Sequence, residues 1–227
     1  LLGKKLQDFN ALLRTLHGGV IHHHSLKAAL EIALFDLRAQ ALGVPLYQLL
    51  GGGDPQLKTD ITISVNDVDM MVQDALRAMA DGFDCLKIKV GGRTWQDDVD
   101  SVLRIGQAVG PHVALRLDAN QGWAPKHAVL VIQAIEKAGV VLEFVEQPVK
   151  ADDVAGLKFV TDHTLTPILA DEAVFSTQDA LHILATGSAD IVNIKLMKTA
   201  GISQAIEIAN LTRMHHKTCM VGCMLET

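Results

Sequence analysis

Aromatic residues are scarce in this sequence: one Tyr, two Trp and six Phe make up 4% of 227 residues, while 49% are hydrophobic, so its core must be aliphatic. Cysteine is nearly as sparse. Cys85, Cys219 and Cys223 form no Cys-x-x-Cys pair and no even set, which excludes a disulfide framework and favours a cytoplasmic protein. No apolar run approaches the 18 residues of a membrane span, and the opening Leu1-Leu2-Gly3-Lys4-Lys5 is too short for a secretion signal. Excess positive charge is also missing. The formal net charge is −6, so nothing suggests the basic face that a nucleic-acid partner would favour. The first βα turn, SVNDVD (64–69), lacks glycine and so lacks the phosphate-binding turn of a dinucleotide fold.

What is present divides near Gly53. Residues 1–53 read as helical and lead into a second unit. Ser25 is placed to cap a helix carrying Leu26, Leu30, Ala33, Leu34 and Leu37 at helical spacing, with Gly43 and Pro45 stopping it. Residues 54–227 change period. Short β-rich runs at 61–65, 85–90, 113–118, 141–146, 167–172, 190–195 and 218–224 alternate with amphipathic segments at 67–80, 95–109, 126–138, 177–185 and 202–213. A repeat of about 25 residues is one βα unit, and repeated βα units give parallel strands with right-handed crossovers.

Charged residues select the architecture. A doubly wound sheet is covered by helices on both faces, so its central strands are almost wholly apolar. Here Lys87, Lys89, Arg116, Asp118, Glu146 and Lys195 lie within or at the ends of strands. Alternation puts Lys87 and Lys89 on one face and Leu86, Ile88 and Val90 on the other. A (β/α) TIM-like barrel gives such charges an interior mouth, and the sequence is read as one. Seven strands are visible, so the barrel is incomplete here, and an eighth is expected beyond Thr227.

Five charged residues fall at successive strand ends: Lys89, Asp118, Glu146, Asp171 and Lys195, spaced 29, 28, 25 and 24 residues apart. Each interval is one βα unit, so all five meet at the mouth where barrel enzymes keep their active sites. Three carboxylates brought together repel one another unless a cation neutralises them, and hard oxygen ligands suit one Mg²⁺ ion. Lys89 and Lys195 flank the three, one on each side. A substrate carboxylate at the metal would then have a lysine on each face of its α-carbon. The α-proton is very weakly acidic, so the enediolate needs electrostatic stabilisation, and a lysine base must be neutral. Positive charge from the metal and from Lys87, with burial, is expected to lower its pKa. The outcome is 1,1-proton transfer with inversion, Lys89 and Lys195 exchanging the roles of acid and base.

The segments KIKVGG (87–92), RLDANQGW (116–123), EQP (146–148), ADE (170–172), NIKLMKTAG (193–201) and GCMLET (222–227) resemble the enolase superfamily in its muconate-lactonizing subgroup. Lys-base catalysis with Mg²⁺ is the pattern known for that superfamily. The resemblance implies Lys89 and Lys195 as acid/base lysines and Asp118, Glu146 and Asp171 as ligands of one Mg²⁺. It extends to ALEIALFDLRAQALGVPLYQLLGG (29–52), which is similar to the end of the superfamily's α+β capping domain and its lead into the barrel, and so implies that residues 1–53 are the C-terminal part of that domain. TDITIS (59–64) and GCMLET are most similar to epimerases that interconvert L-Ala-D-Glu and L-Ala-L-Glu. That likeness implies a small dipeptide as substrate, with Thr62, Lys87, Cys223 and Leu225 lining its site. o-Succinylbenzoate synthase, muconate cycloisomerase, N-acylamino acid racemase and an inactive binding paralogue stay open, as does a homo-oligomer.

The remaining polar residues are read more plainly. His22, His23 and His24 are consecutive and cannot converge on one ion from a helix start, so they read as a solvated turn. Cys219 reads as barrel filling. Asn120, Gln121, Trp123 and Glu226 are left between loop structure and pocket.

Overall fold

The computed structural model describes residues 1–53 and 56–224. Seven strands form one parallel sheet in the order β1 to β7: Ile61–Ile63, Cys85–Lys89, Ala114–Asp118, Leu142–Glu146, Ile168–Ala170, Ile191–Ile194 and Thr218–Val221. Helices α4 to α9 follow β1 to β6: Val68–Ala80, Trp95–Val109, Pro125–Lys137, Val154–His163, Thr177–Thr186 and Ile202–Met214. The sheet curls into a part-barrel. Among the described residues β1 pairs only with β2 and β7 only with β6.

Local chemistry starts these helices where the βα units need them. Asp67, Thr94, Asp153 and Ser176 each cap a helix by accepting a backbone N–H two or three residues on, and Pro125 opens α6 with its preset φ. Helix α7 was not among the segments expected. Its sequence, VAGLKFVTDH, mixes glycine with β-branched residues, and the Asp153 cap with the packing of Leu157 and Val160 outweighs that weak propensity.

The main core lies between sheet and helices. Leu86, Ile88, Leu117, Val145, Val192 and Ile194 are at most 2% exposed and face α4 to α9. Their strand neighbours point inward, as alternation requires. One strand departs from simple alternation: Leu142 opposes Leu115, but Phe144 opposes Arg116. The extra residue in β4 reverses its parity. Val145 therefore joins the helix-side core, while Phe144 lies under the Arg116 guanidinium inside the barrel and Glu146 points to the mouth.

The preceding segment contains α1 (Phe9–Gly19), α2 (His24–Ala41) and the short α3 (Leu46–Leu49). Phe9 meets Phe35 edge-on with centroids 4.9 Å apart, and Ile202 from α9 completes this second core. Glu31, fully buried on α2, is 3.1 Å from His17 Nε2 and accepts from Ser203 N at the start of α9. Ser25 does not cap α2. The helix begins two residues earlier than that cap would place it, at His24, after His23 in a left-handed conformation, and no side chain caps it. Cys219 is exposed rather than barrel filling, because it opposes Val192 and so shares the helix-facing side of the sheet. No helix among the described residues is long and apolar enough to cross a membrane.

Gly201 has φ +127°, and a Cβ built there would fall 1.7 Å from Glu31 Oε2. Replacing it with Ala forces a left-handed backbone on an L residue and displaces the buried carboxylate. Gly201→Ala is expected to cost about 2–4 kcal/mol, read from urea unfolding midpoints. A loss under about 0.5 kcal/mol would mean that this junction does not hold α2 against α9.

Candidate active site

The strand ends place the predicted charges together. Lys89 pairs in register with Asp118, and Asp118 with Glu146. Asp171 and Lys195 follow immediately after β5 and β6. Asp118, Glu146 and Asp171 are 2%, 0% and 1% exposed, a burial that charged carboxylates tolerate only when neutralised.

Lysines meet all three. Lys89 Nζ is 2.6 Å from Asp118 Oδ2, and Lys195 Nζ is 2.6 Å from Asp171 Oδ2. Lys87 Nζ lies between two acids, 3.4 Å from Glu146 Oε2 and 4.0 Å from Asp118 Oδ2. Lys198 reaches Asp171 from the other side, at 2.5 Å from Oδ1, and donates to the Asn193 carbonyl oxygen. Four ammonium groups thus neutralise the acids in this structure. Among the described residues no three His, Cys, Asp or Glu side chains close into a metal cage.

Without a metal charge beside them, two of these lysines are held as ammonium ions by the acids they meet. Burial lowers the Lys195 pKa, but the hydrogen bond and charge of Asp171 outweigh it and hold the ammonium above its ordinary value. Lys87 behaves likewise, with burial opposed by Glu146 and Asp118. Burial pushes Glu146 up to about 7, Asp118 adds to the rise, and Lys87 opposes it. Asp171 is lowered overall, because Lys198 and Lys195 outweigh its burial. Burial keeps Lys198 below its usual range.

Several supports were missed in the sequence. Asn193 Nδ2 donates to Glu146 Oε1 at 2.8 Å. Gln147 Oε1 accepts from Asp171 N and Ala173 N, which ties the end of β4 to the loop after β5. Lys198 carried a signal, standing three residues after Lys195, but its burial depends on α2: His24 Nδ1 is 2.5 Å from the Lys198 carbonyl oxygen. His24 is thus no solvated turn, although His22 and His23 are exposed.

A cleft of about 780 Å³ opens over these groups, lined among others by Thr62, Lys87, Lys89, Asp118, Lys195 and Cys223. A smaller annex of about 430 Å³ shares Asn120, Lys195 and Met224 with it and adds His24, Glu172 and Phe175. Gln121 is loop structure, accepting from Ala151 N, and Trp123 is a core residue whose Nε1 donates to Asp98. Leu225 and Glu226 lie outside the described residues.

Residues 70–227 match the family model described as enolase C-terminal domain-like. Residues 1–51 match that of the mandelate racemase / muconate lactonizing enzyme N-terminal domain. The chain belongs to the enolase superfamily, in its muconate-lactonizing branch. It is 50% identical to the L-Ala-D/L-Glu epimerase of Bacillus subtilis over 227 residues, covering 100% of this chain and 62% of that protein. A hydrophobic dipeptide epimerase of Enterococcus faecalis is 48% identical over 200 residues, covering 88% of this chain and 56% of that protein. The chain thus spans about three fifths of the length of the relatives it matches. The substrate-liganded Bacillus subtilis epimerase superposes with a TM-score of 0.98 over 100% of this chain and 63% of that one, at 50% identity. The Enterococcus faecalis dipeptide epimerase with Mg and L-Leu-L-Tyr gives 0.89 over 98% and 61%, at 43% identity.

Glu146 gives this superfamily member a distinctive pH dependence. Its folded pKa is raised, so its contribution is fully present below its ordinary value of 4.5 and is lost as pH rises through about 7. Asp171 works oppositely, its contribution being present above its ordinary value of 3.8 and lost as pH falls through its lowered pKa. In excess chelator, Glu146→Gln should remove a stability loss on the order of 3 kcal/mol between pH 4.5 and 7.5, measured by urea unfolding. Parallel stability curves for wild type and variant across that range would contradict the assignment.

Proposed function

We propose that this chain carries the proton-transfer site of a Mg²⁺-dependent dipeptide epimerase of the L-Ala-D/L-Glu type. The observation that carries the reading is the pair of lysines. Lys89 and Lys195 line one cleft from opposite flanks of three buried carboxylates. The likeness to epimerases at about half identity supports the dipeptide as substrate class.

The donor set fits the metal: Asp118, Glu146 and Asp171 offer hard oxygens from adjacent strand ends and would hold one Mg²⁺ ion. When bound, such an ion supplies positive charge to a substrate carboxylate and so acidifies the neighbouring α-proton. The lysines that now neutralise these oxygens are then freed. Lys195, no longer held as an ammonium by Asp171, accepts the α-proton of one epimer at Nζ, while Lys89 donates from the other face. The reverse reaction exchanges their roles. Lys87 stays charged and orients the substrate carboxylate. Thr62 and Cys223 contact the remainder of the dipeptide, and Leu225 is assigned with them from the family likeness. We assign residues 1–53 to the end of the capping domain and 54–227 to the barrel, with the protein working in the cytoplasm.

A hydrophobic dipeptide is the second reading. The annex favours it, since Phe175, Met197 and Met224 give it an apolar lining.

Two measurements on the full-length protein test these assignments. Proton NMR in D₂O should show Mg²⁺-dependent deuterium entry at the α-carbon of the C-terminal residue of L-Ala-L-Glu and L-Ala-D-Glu. Lys89→Ala and Lys195→Ala should each retain exchange on a different epimer while losing net epimerisation. Both variants exchanging the same epimer would remove the two-base reading. Asp171→Asn should lose the melting-temperature increase that Mg²⁺ gives the wild type and lose activity by at least about a hundredfold. Full turnover in excess chelator would exclude the metal. Faster exchange of L-Leu-L-Tyr than of L-Ala-L-Glu would select the second substrate reading.

A further inference from the structure

Lys89 has a second partner besides Asp118. Its Nζ lies 2.5 Å from Asn120 Oδ1, and Asn120 Nδ2 in turn donates to Glu172 Oε1 at 3.1 Å. Asn120 is fixed from behind as well. Its φ is +41°, and its backbone N–H donates to Asp118 Oδ1 at 3.0 Å. The amide's orientation follows from its neighbours: a lysine ammonium only donates and a carboxylate accepts, so the oxygen must face Lys89 and the nitrogen Glu172. These three residues come from β2, the turn after β3 and the loop after β5, and so span the carboxylate cluster.

We infer that Asn120, oriented by Glu172, is a positioning residue that holds the Lys89 nitrogen against one face of the substrate's α-carbon. The inference rests on the two-lysine reading above. Its physical basis is the difference between Lys89's two partners. Asp118 is assigned to the metal and would give up its pairing with Lys89. The amide oxygen stays, and as a neutral acceptor it holds either the ammonium or the free amine. A base that must alternate between those two forms needs an anchor of this kind, because a proton-transfer group displaced by about 1 Å loses much of its rate. Among the described residues Lys195 has no equivalent amide partner; its side-chain hydrogen bond goes to Asp171. The device is therefore one-sided, and so is its signature.

The test is α-proton exchange in D₂O, measured separately for each epimer of Ala-Glu with the Mg²⁺-loaded full-length protein. Lys89→Ala first identifies the epimer that Lys89 deprotonates. Asn120→Gly keeps the left-handed backbone accessible while removing the amide. It should lower the exchange rate of that epimer relative to the other by roughly tenfold or more, while Mg²⁺ still raises the melting temperature. Glu172 also lies in the field of Lys195, so two replacements that both remove its charge are compared. Glu172→Gln keeps an oxygen that can accept from Asn120 and should preserve more of the affected exchange than Glu172→Leu. Equal losses on both epimers, or no change in their ratio, would overturn the relay and reduce Asn120 to loop structure. If wild type exchanges neither Ala-Glu epimer nor L-Leu-L-Tyr, the epimerase reading itself fails and takes the relay with it.

Discussion

Three carboxylates with almost no exposure stand at the ends of neighbouring strands, and their mutual repulsion has to be cancelled locally. Lys87, Lys89, Lys195 and Lys198 do so in this structure, through contacts of 2.5 to 4.0 Å. Much of the site follows from that constraint. Lys87 and Lys89 reach in from β2 and Lys195 from the end of β6, Asn193 and Gln147 brace Glu146 and the Asp171 loop, and Lys198 is buried beside Asp171. The arrangement is balanced between two partners for the same oxygens. A divalent cation would compete with the ammonium groups and change what the lysines can do, without requiring any rearrangement of the sheet.

The helical segment before the barrel belongs to this balance. His24 reaches the carbonyl oxygen of Lys198, Glu31 accepts from the start of α9, and Ile202 joins the cluster of Phe9 and Phe35. All three contacts converge on residues 198–203, the turn that follows Lys195. Small shifts of α2 would reach Asp171 through Lys198. The helical segment thus has a physical route to the carboxylate cluster.

The barrel was legible in the sequence because its pattern is local. Period-two strands and charged residues one βα unit apart fall where expected, and α5 spans Trp95–Val109 as read. Less visible were features set by tertiary packing. The parity of β4 depends on one extra residue in the pairing of Leu115 and Arg116 with Leu142 and Phe144, and without it Glu146 would point toward the helices. The LEFVE run alone does not reveal that. Helix α7 was obscured by weak propensity, and Ser25 was chosen as a cap because a left-handed His23 is not foreseeable from composition. Spacing identifies which charges meet, but not which of them pair.

The central claim is that the buried carboxylates can exchange their lysine partners for one divalent ion. Anomalous diffraction at the manganese edge, on crystals of the full-length protein grown with Mn²⁺ in place of Mg²⁺, tests it most directly. The account predicts a single peak bounded by oxygens of Asp118, Glu146 and Asp171, with the nitrogens of Lys89 and Lys195 withdrawn from those oxygens. A peak elsewhere, or lysines still at 2.6 Å from Asp118 and Asp171 beside an ordered ion, would contradict it.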